Sequence, residues 1–223
     1  MLVAENEEDP MKPKYSLVLF FTIVSLSGCA RMQVARDVQF GRQAFFVGNN
    51  EVAQSYFQNA AQINPSYAYY SMGSSQGVWS YVGRSEYVNG RYPQARQSLE
   101  RALGANKSED IARLYLGLTL AREGDRQRGV KEIEAGMRGI HDWLDYVNQA
   151  FAFTWGKYWD PGHNIRSTIQ TDLAMISARD VDLPQLIAEG EWLGKRMEEE
   201  SDRARKQQFD EWNRANGGRD SRP

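Results

Sequence analysis

Cysteine and histidine are nearly absent from this chain of 223 residues. Cys29 is the single cysteine, so no disulfide can form within the chain and a hydrophobic core has to stabilise the fold. The two histidines, His141 and His163, lie far apart in the sequence, and no second thiol accompanies them. Zinc and iron centres need several such ligands. The sequence therefore predicts neither a metal site nor a cofactor.

A strong net charge is also missing. The chain has 27 Lys and Arg residues against 29 Asp and Glu residues, a formal net charge of -2. Such a balance provides no field that steers a protein to nucleic acid, and we expect no nucleic-acid partner. The sequence shows no Gly-rich phosphate loop, no nucleophile elbow and no convincing pair of catalytic carboxylates. It therefore predicts a binding protein and not an enzyme.

Long apolar runs are confined to one stretch near the N-terminus. Two lysines precede this stretch, and no charged residue occurs between Tyr15 and Gly28. The stretch is shorter than the about 20 apolar residues that a transmembrane helix needs. A basic start, a short apolar core and small residues at the end are typical of a signal peptide. We expect residues 1–28 to be this signal, with translation starting at Met11, because the acidic residues before Met11 oppose its orientation.

The end of the signal, Leu26-Ser27-Gly28-Cys29, resembles the lipobox of bacterial lipoproteins. The resemblance implies that the Cys29 thiol is acylated and begins the mature chain, with residues 29–33 as the tether. Several acyl chains hold a protein firmly on a membrane, because each buried methylene contributes about 0.8 kcal/mol. Ala30 replaces the aspartate that retains many lipoproteins in the inner membrane, which implies the periplasmic face of the outer membrane. A buried thiol at the end of a core helix is the alternative.

One spacing pattern occurs three times after this segment. Each copy begins with two glycines that are seven positions apart. A small residue follows the second glycine after five positions, an apolar residue comes four positions later, and another small residue comes three positions after that. The glycine pairs are Gly41 with Gly48, Gly83 with Gly90, and Gly117 with Gly124. The last two copies are 34 residues apart and the first two are 42 apart, as counted from Gly48 to Gly90 to Gly124. We expect the eight extra residues, near Tyr67 to Ser75, to lengthen the first helix of the second repeat.

This pattern predicts antiparallel helix pairs. The first glycine of each pair lets two helix axes approach, and the second suits a left-handed residue that ends a helix. The spacing resembles the tetratricopeptide repeat over residues 34–142, although only the second copy has the tryptophan of that family, at Trp79, and only the first has its proline, at Pro65. The resemblance implies an all-α solenoid of about three stacked repeats.

In this family the first helix of each repeat lines a concave groove. The corresponding positions in this chain are Arg42, Phe45, Arg84, Tyr87 and Arg122. We expect these residues to form a basic strip with aromatic neighbours that binds a carboxylate-bearing peptide through bidentate hydrogen bonds. The alternative is a solvated helix face, since arginine is common on exposed helices.

Residues 143–215 are expected to form a helical cap and an arm. The seven aromatic residues from Trp143 to Trp159 predict a core helix on the open end of the third repeat, with an exposed partner surface as the alternative. Further helices are predicted from about Ile165 to Ala178 and from Asp182 to about Arg214. The end of the last helix is expected to be a solvated arm, and residues 216–223 are expected to be disordered.

Together these features favour a membrane-anchored periplasmic scaffold that binds other envelope proteins or peptides during the assembly of envelope complexes. The alternative is an accessory solute-binding lipoprotein of an uptake system. In that case the aromatic segment would line a closed small-molecule pocket.

Overall fold

The computed structural model describes residues 13–216, with side chains from residue 30 onward. The predicted start at Met11 and residues 217–223 of the predicted disordered tail lie outside the described residues. Within them, no helix combines the length and the apolar content that crossing a bilayer requires. The elements in chain order are α1 (Pro13–Phe46), α2 (Asn50–Ile63), β1 (Ala68–Ser71), β2 (Ser74–Gly77), α3 (Val78–Val88), α4 (Tyr92–Ala105), α5 (Asp110–Arg122), α6 (Arg126–Ala150), a 3₁₀ helix (Trp155–Tyr158), α7 (Asn164–Ser177) and α8 (Leu183–Asn216).

Three helix pairs form the repeat solenoid: α1 with α2, α3 with α4, and α5 with α6. The turn within each pair contains the second glycine of the sequence pattern, and these glycines have φ angles of 77° at Gly48, 72° at Gly90 and 95° at Gly124. Such angles are costly for residues with a Cβ atom, and glycine adopts them freely. The predicted all-α solenoid of helical hairpins with additional C-terminal helices is confirmed.

The first glycine of each pair lies where the two helices of a repeat cross. A Cβ atom added at Gly83 would lie 2.9 Å from Cδ2 of Leu99, and one added at Gly117 would lie 2.8 Å from the carbonyl oxygen of Gly129. The helix axes therefore approach until no space for a side chain remains. The apolar residues of the pattern, Phe57, Leu99 and Ile133, are buried beside these crossings.

The insertion between the first two repeats is a β-hairpin, so the prediction of a longer helix is wrong. Strands β1 and β2 are antiparallel, with Ser71 paired to Ser74. The two turn residues between them, Met72 and Gly73, have φ angles of 50° and 78°. Two consecutive positive φ angles are required by the tight hairpin turn that matches the twist of paired strands. Gly77 then ends the hairpin directly before α3 begins.

The aromatic segment does not form the single core helix that its composition predicts. Helix α6 ends at Ala150, and a turn and the 3₁₀ helix follow. Trp159 is fully buried, stands edge-on to Trp143 at 4.7 Å, and donates its indole N–H to the carbonyl oxygen of Met72. Phe153 and Tyr146 are exposed. The segment therefore divides between the core and the surface.

The two C-terminal helices begin and end close to their predicted limits. The side chain of Asp182 accepts the backbone N–H of Gln185 at 3.1 Å, which caps the start of α8. The solvated arm is confined to the last turns of this helix, because α8 packs on α5 and residues on its packed face are buried as far as Ala204. Exposed positions run from residue 205 to residue 215.

The glycine crossings lead to a stability prediction. Gly117→Ala should destabilise the protein by about 1–3 kcal/mol, because the new methyl group meets backbone atoms of α6 that cannot rotate away. Gly104→Ala is the matched control, since a Cβ atom at this helical glycine would have no atom within 4 Å. This substitution should stabilise the protein by up to about 1 kcal/mol, because alanine favours the helix over glycine. Urea unfolding followed by circular dichroism measures both changes. Equal stabilities of the two variants would contradict the close crossing.

Candidate functional site

The candidate site lies between the first helices of the repeats and α8. Helix α8 crosses this face with two small residues, Gly190 and Gly194, against α5. A Cβ atom at Gly190 would lie 2.8 Å from Cδ2 of Leu118, and one at Gly194 would lie 2.6 Å from the hydroxyl oxygen of Tyr115. The last helix of the chain therefore covers part of the groove that the first helices of the repeats form.

Glu198 of α8 makes the central contact. Its carboxylate accepts hydrogen bonds from Nε of Arg42 at 2.5 Å and from Nη1 of Arg84 at 2.9 Å. Asp202, one turn later, accepts from Nη2 of Arg42 at 3.0 Å. The side chains of Arg42 and Arg84 are 3% and 1% exposed. An ion pair in these surroundings is stable only when its charged groups are close and hydrogen-bonded to each other.

The β-hairpin adds polar groups to this buried cluster. Nη1 of Arg42 donates to the hydroxyl oxygen of Tyr69 on β1 at 2.9 Å. Gln76 on β2 accepts from Arg84 at 2.6 Å through its side-chain oxygen and donates to Glu198 at 3.2 Å through its amide nitrogen. The hairpin thus satisfies hydrogen bonds that a longer α3 would leave unmade.

Burial alone would raise the pKa of Glu198, but the neighbouring Arg84 and Arg42 outweigh it and lower the pKa from 4.5 to about 2. The carboxylate is therefore ionised at neutral pH. The arginine side chain of Arg84 also lies over three aromatic rings, with its Cζ 5.1 Å from the ring centre of Tyr115, 5.5 Å from that of Phe45 and 5.6 Å from that of Tyr81. These cation–π contacts further favour the buried cation.

A second polar cluster lies nearer the solvent. The hydroxyl group of Tyr87 donates to Glu191 of α8 at 2.5 Å, and Arg122 donates to the same carboxylate oxygen at 2.9 Å. Burial raises the pKa of Tyr87, and the phenol therefore stays protonated. Because Arg122 and Glu191 are both partly exposed, this pair can exchange partners with an incoming ligand at low cost.

A pocket of about 450 Å³ lies between these two clusters. Four of the five groove residues predicted from the sequence line it: Phe45, Arg84, Tyr87 and Arg122. Val88 and Tyr92 extend its apolar wall, and Lys195 and Glu191 contribute charge from α8. The pocket thus combines aromatic walls with groups of both charges, which suits an apolar side chain whose polar backbone stays at the rim.

The structure corrects the expected state of the two central arginines. Neither Arg42 nor Arg84 lies on a solvated helix face, so that alternative is wrong for both. They are also not free to bind a peptide carboxylate, because Glu198 already occupies them. Arg122 is the groove arginine that remains partly exposed. Charge reversal at Arg42 or Arg84 would therefore disrupt the fold, and a loss of binding in such a variant would not identify a binding residue.

Sequence reasoning missed the α8 residues of the site, Glu191, Lys195 and Glu198. A signal was present, because Gly190 and Gly194 are four residues apart and lie on one face of the helix. Apolar or small residues recur on the same face at Leu193, Met197, Ser201 and Ala204, all of them buried. This stripe indicates a helix that packs on another helix along most of its length.

A smaller pocket of about 180 Å³ lies beside the start of α5 and includes Trp143. Two adjacent carboxylates line it, and burial raises the pKa of Glu109 to about 7 and that of Asp110 to about 6. The backbone N–H of Gly77 donates to Glu109 at 3.0 Å. Among the described residues, no group of three or more His, Cys, Asp or Glu side chains is arranged to hold a metal ion.

Comparison with known proteins agrees with this description of the fold. The family model described as "Tetratricopeptide repeat" matches residues 83–135, which run from α3 into α6. No curated protein matches the chain. The match supports the tetratricopeptide repeat assignment of the second and third helix pairs, and such repeats typically bind other proteins or peptides.

The buried cluster leads to a prediction about stability and pH. Glu198→Gln should destabilise the protein by about 3–5 kcal/mol at neutral pH, because the buried Arg84 loses its counter-charge and the buried Arg42 keeps only Asp202. Glu199→Gln is the matched control on a more exposed carboxylate, and its effect should stay below about 1 kcal/mol. Thermal and urea unfolding at several pH values measure both variants.

The sign of the pH effect follows from the lowered pKa of Glu198. Its folded-state pKa of about 2 lies below its ordinary value of 4.5, so its contribution is complete above about pH 4.5 and is lost as the pH falls towards 2. The Glu198→Gln variant should lose less stability than the unsubstituted protein across this window. Parallel pH profiles for the two proteins would contradict the assignment.

Proposed function

We propose that this protein is a lipid-anchored adaptor of the bacterial cell envelope. A lipid on Cys29 holds it at the periplasmic face of the outer membrane, and the pocket between the repeats and α8 binds a partner protein or peptide. The proposal assigns binding and no catalytic step. The observation that carries it is the pocket of about 450 Å³, because four of the five groove residues predicted from the sequence meet there.

The pocket chemistry supports binding of a partner through a bulky apolar side chain. Its wall contains Phe45, Tyr87, Val88 and Tyr92, and large apolar anchors in such pockets contribute most of the binding energy at protein interfaces. Lys195 is well exposed at the rim, where it can attract a carboxylate of the partner.

The position of Cys29 supports attachment through the N-terminus. The backbone of Cys29 belongs to α1, and the first buried residue among the described side chains is Val34. A lipid at Cys29 would therefore leave the described core intact. The charge-free segment before Cys29 and the lipobox-like residues Leu26-Ser27-Gly28 give the sequence basis for this attachment.

Site-specific photo-crosslinking tests the pocket. A photoreactive amino acid replaces Val88 at the pocket in one variant and Val52 on α2 in the control. The two valines are matched, with 39% and 41% of their surfaces exposed. After irradiation of intact bacterial cells, Val88 should form a discrete crosslinked protein band that Val52 does not form.

Mass spectrometry of the crosslinked band identifies the captured protein. The charge-reversing substitution Lys195→Glu at the rim should reduce crosslinking at Val88 several-fold if the partner is acidic there. Identical bands from Val88 and Val52, or no band from either, would contradict binding through the pocket.

Metabolic labelling tests the anchor. The unsubstituted protein should incorporate labelled palmitate and fractionate with membranes, and Cys29→Ser should abolish the label because no other thiol exists in the chain. Separation of inner and outer membranes then shows which membrane holds the protein. Equal labelling of the two proteins would exclude lipidation at Cys29.

Solute binding is the second candidate, and the pocket volume favours it. Small-molecule sites typically measure about 300–1,000 Å³, a range that includes the pocket beside Val88. The cavity at Trp143 measures about 180 Å³ and is smaller than this range. Native mass spectrometry of the purified protein distinguishes the two functions, since a solute-binding protein should carry a small molecule that Val88→Glu displaces.

A further inference from the structure

The last turns of α8 form an exposed arm with an aromatic face. Positions 205–215 are exposed, and Phe209 and Trp212 have 60% and 62% of their surfaces in solvent. These two residues are three positions apart and therefore share one side of the helix. The arm is held from another side, because Lys157 donates to Glu211 at 2.9 Å.

The charges of the arm are divided between its faces. A helix turns about 100° per residue, so Arg205, Phe209 and Trp212 share one face and Lys206 lies beside it. The acidic residues Asp210 and Glu211 point to other sides, and Glu211 is already paired with Lys157. Arg205 is ion-paired with Asp202 at 3.1 Å, and Lys206 is the further cation that borders the aromatic face.

Side-chain contacts determine where the arm points. Arg42 of α1 contacts Glu198 and Asp202, whereas Phe46, one turn later in α1, lines the pocket that the earlier α8 residues Glu191 and Lys195 also line. The two helices therefore run in opposite directions. The C-terminal arm of α8 and the part of α1 that precedes Arg42 extend from the Arg42 cluster towards the same end of the molecule.

The part of α1 that directly follows Cys29 brings similar chemistry to this end. Met32 is an exposed apolar residue, and Arg31 and Arg36 are exposed cations on the turns that follow Cys29. The end of the molecule nearest the proposed lipid thus carries the apolar residues Met32, Phe209 and Trp212 and the cations Arg31, Arg36, Arg205 and Lys206.

We propose that the α8 arm is a second membrane contact, which inserts Phe209 and Trp212 into the headgroup region of an anionic phospholipid surface. Trp and Phe on one helix face with Lys and Arg beside them are typical of helices that lie in the bilayer interface. Each cation near an anionic surface adds to the attraction. The inference rests on the proposed attachment through Cys29, which places the membrane at this end. The contact would fix the orientation of the groove relative to the membrane.

Vesicle flotation tests the contact without the lipid anchor. The chain from residue 29 onward with Cys29→Ser retains the whole described core, which begins at Val34, and circular dichroism checks its fold. This protein should float together with vesicles of phosphatidylcholine and phosphatidylglycerol. Phe209→Ser combined with Trp212→Ser should raise the lipid concentration for half-maximal binding at least about tenfold, since two apolar anchors are lost. Arg205→Glu combined with Lys206→Glu should also weaken binding.

Tyr146→Ser is the matched control, because Tyr146 is 60% exposed and belongs to α6, not to the arm. It should bind vesicles like the unsubstituted chain. Failure of the unsubstituted chain to float, or an equal loss with Tyr146→Ser, would overturn the inference. So would a Phe209 and Trp212 variant that floats normally and instead loses the protein crosslinked at Val88.

The two proposals can fail separately. Absent flotation together with normal palmitate labelling of Cys29 would remove the arm contact and leave the lipid-anchored adaptor. Flotation that depends on Phe209 and Trp212, together with an unlabelled Cys29, would support the arm contact and exclude the lipid anchor.

Discussion

Glu198 joins distant parts of the chain, because its carboxylate bridges Arg42 of the first repeat and Arg84 of the second. The pair Arg42 and Glu198 is separated by 156 positions in the sequence. Asp202 and the two arginines complete a group with equal numbers of positive and negative charges. A buried group of this kind adds little stability compared with an apolar contact, but removing any member leaves an unpaired charge. It therefore fixes one position of α8 on the solenoid.

The pocket follows from that position. With Glu198 fixed, the residues one and two turns earlier in α8 meet α3 and α5, and Glu191 reaches Tyr87 and Arg122. The pocket lies between these two points of contact, and Phe45 and Val88 line it opposite α8 residues Glu191 and Lys195. A solenoid without α8 would present a wide basic groove. With α8 the chain presents a smaller pocket of mixed charge, which is more selective for shape and for the position of charge.

The sequence predicts the local parts of this fold and misses the long-range ones. Gly48, Gly90 and Gly124 identify the helix turns because a positive φ angle is a local requirement. The hairpin insertion was missed because its turn residues Met72 and Gly73 lack the usual Asn-Gly signal, and its strands are short. The groove residues were found from the repeat offset, but burial of Arg42 and Arg84 depends on one glutamate among three consecutive ones, at positions 198 to 200. Glu198 and Glu200 are both buried, and no local pattern shows which of them pairs with the two arginines.

The central claim is that α8 is part of the solenoid core as far as Ala204 and projects from it only beyond that residue. Amide hydrogen exchange of the native protein tests it most directly, because exchange rates report the local free energy of opening. The account predicts that amides from Leu186 to Ala204 exchange as slowly as those of α5, and that amides from 205 to 216 exchange much faster. Fast exchange along the whole of α8, with slow exchange retained in α5, would show that the helix is not docked and would contradict the account.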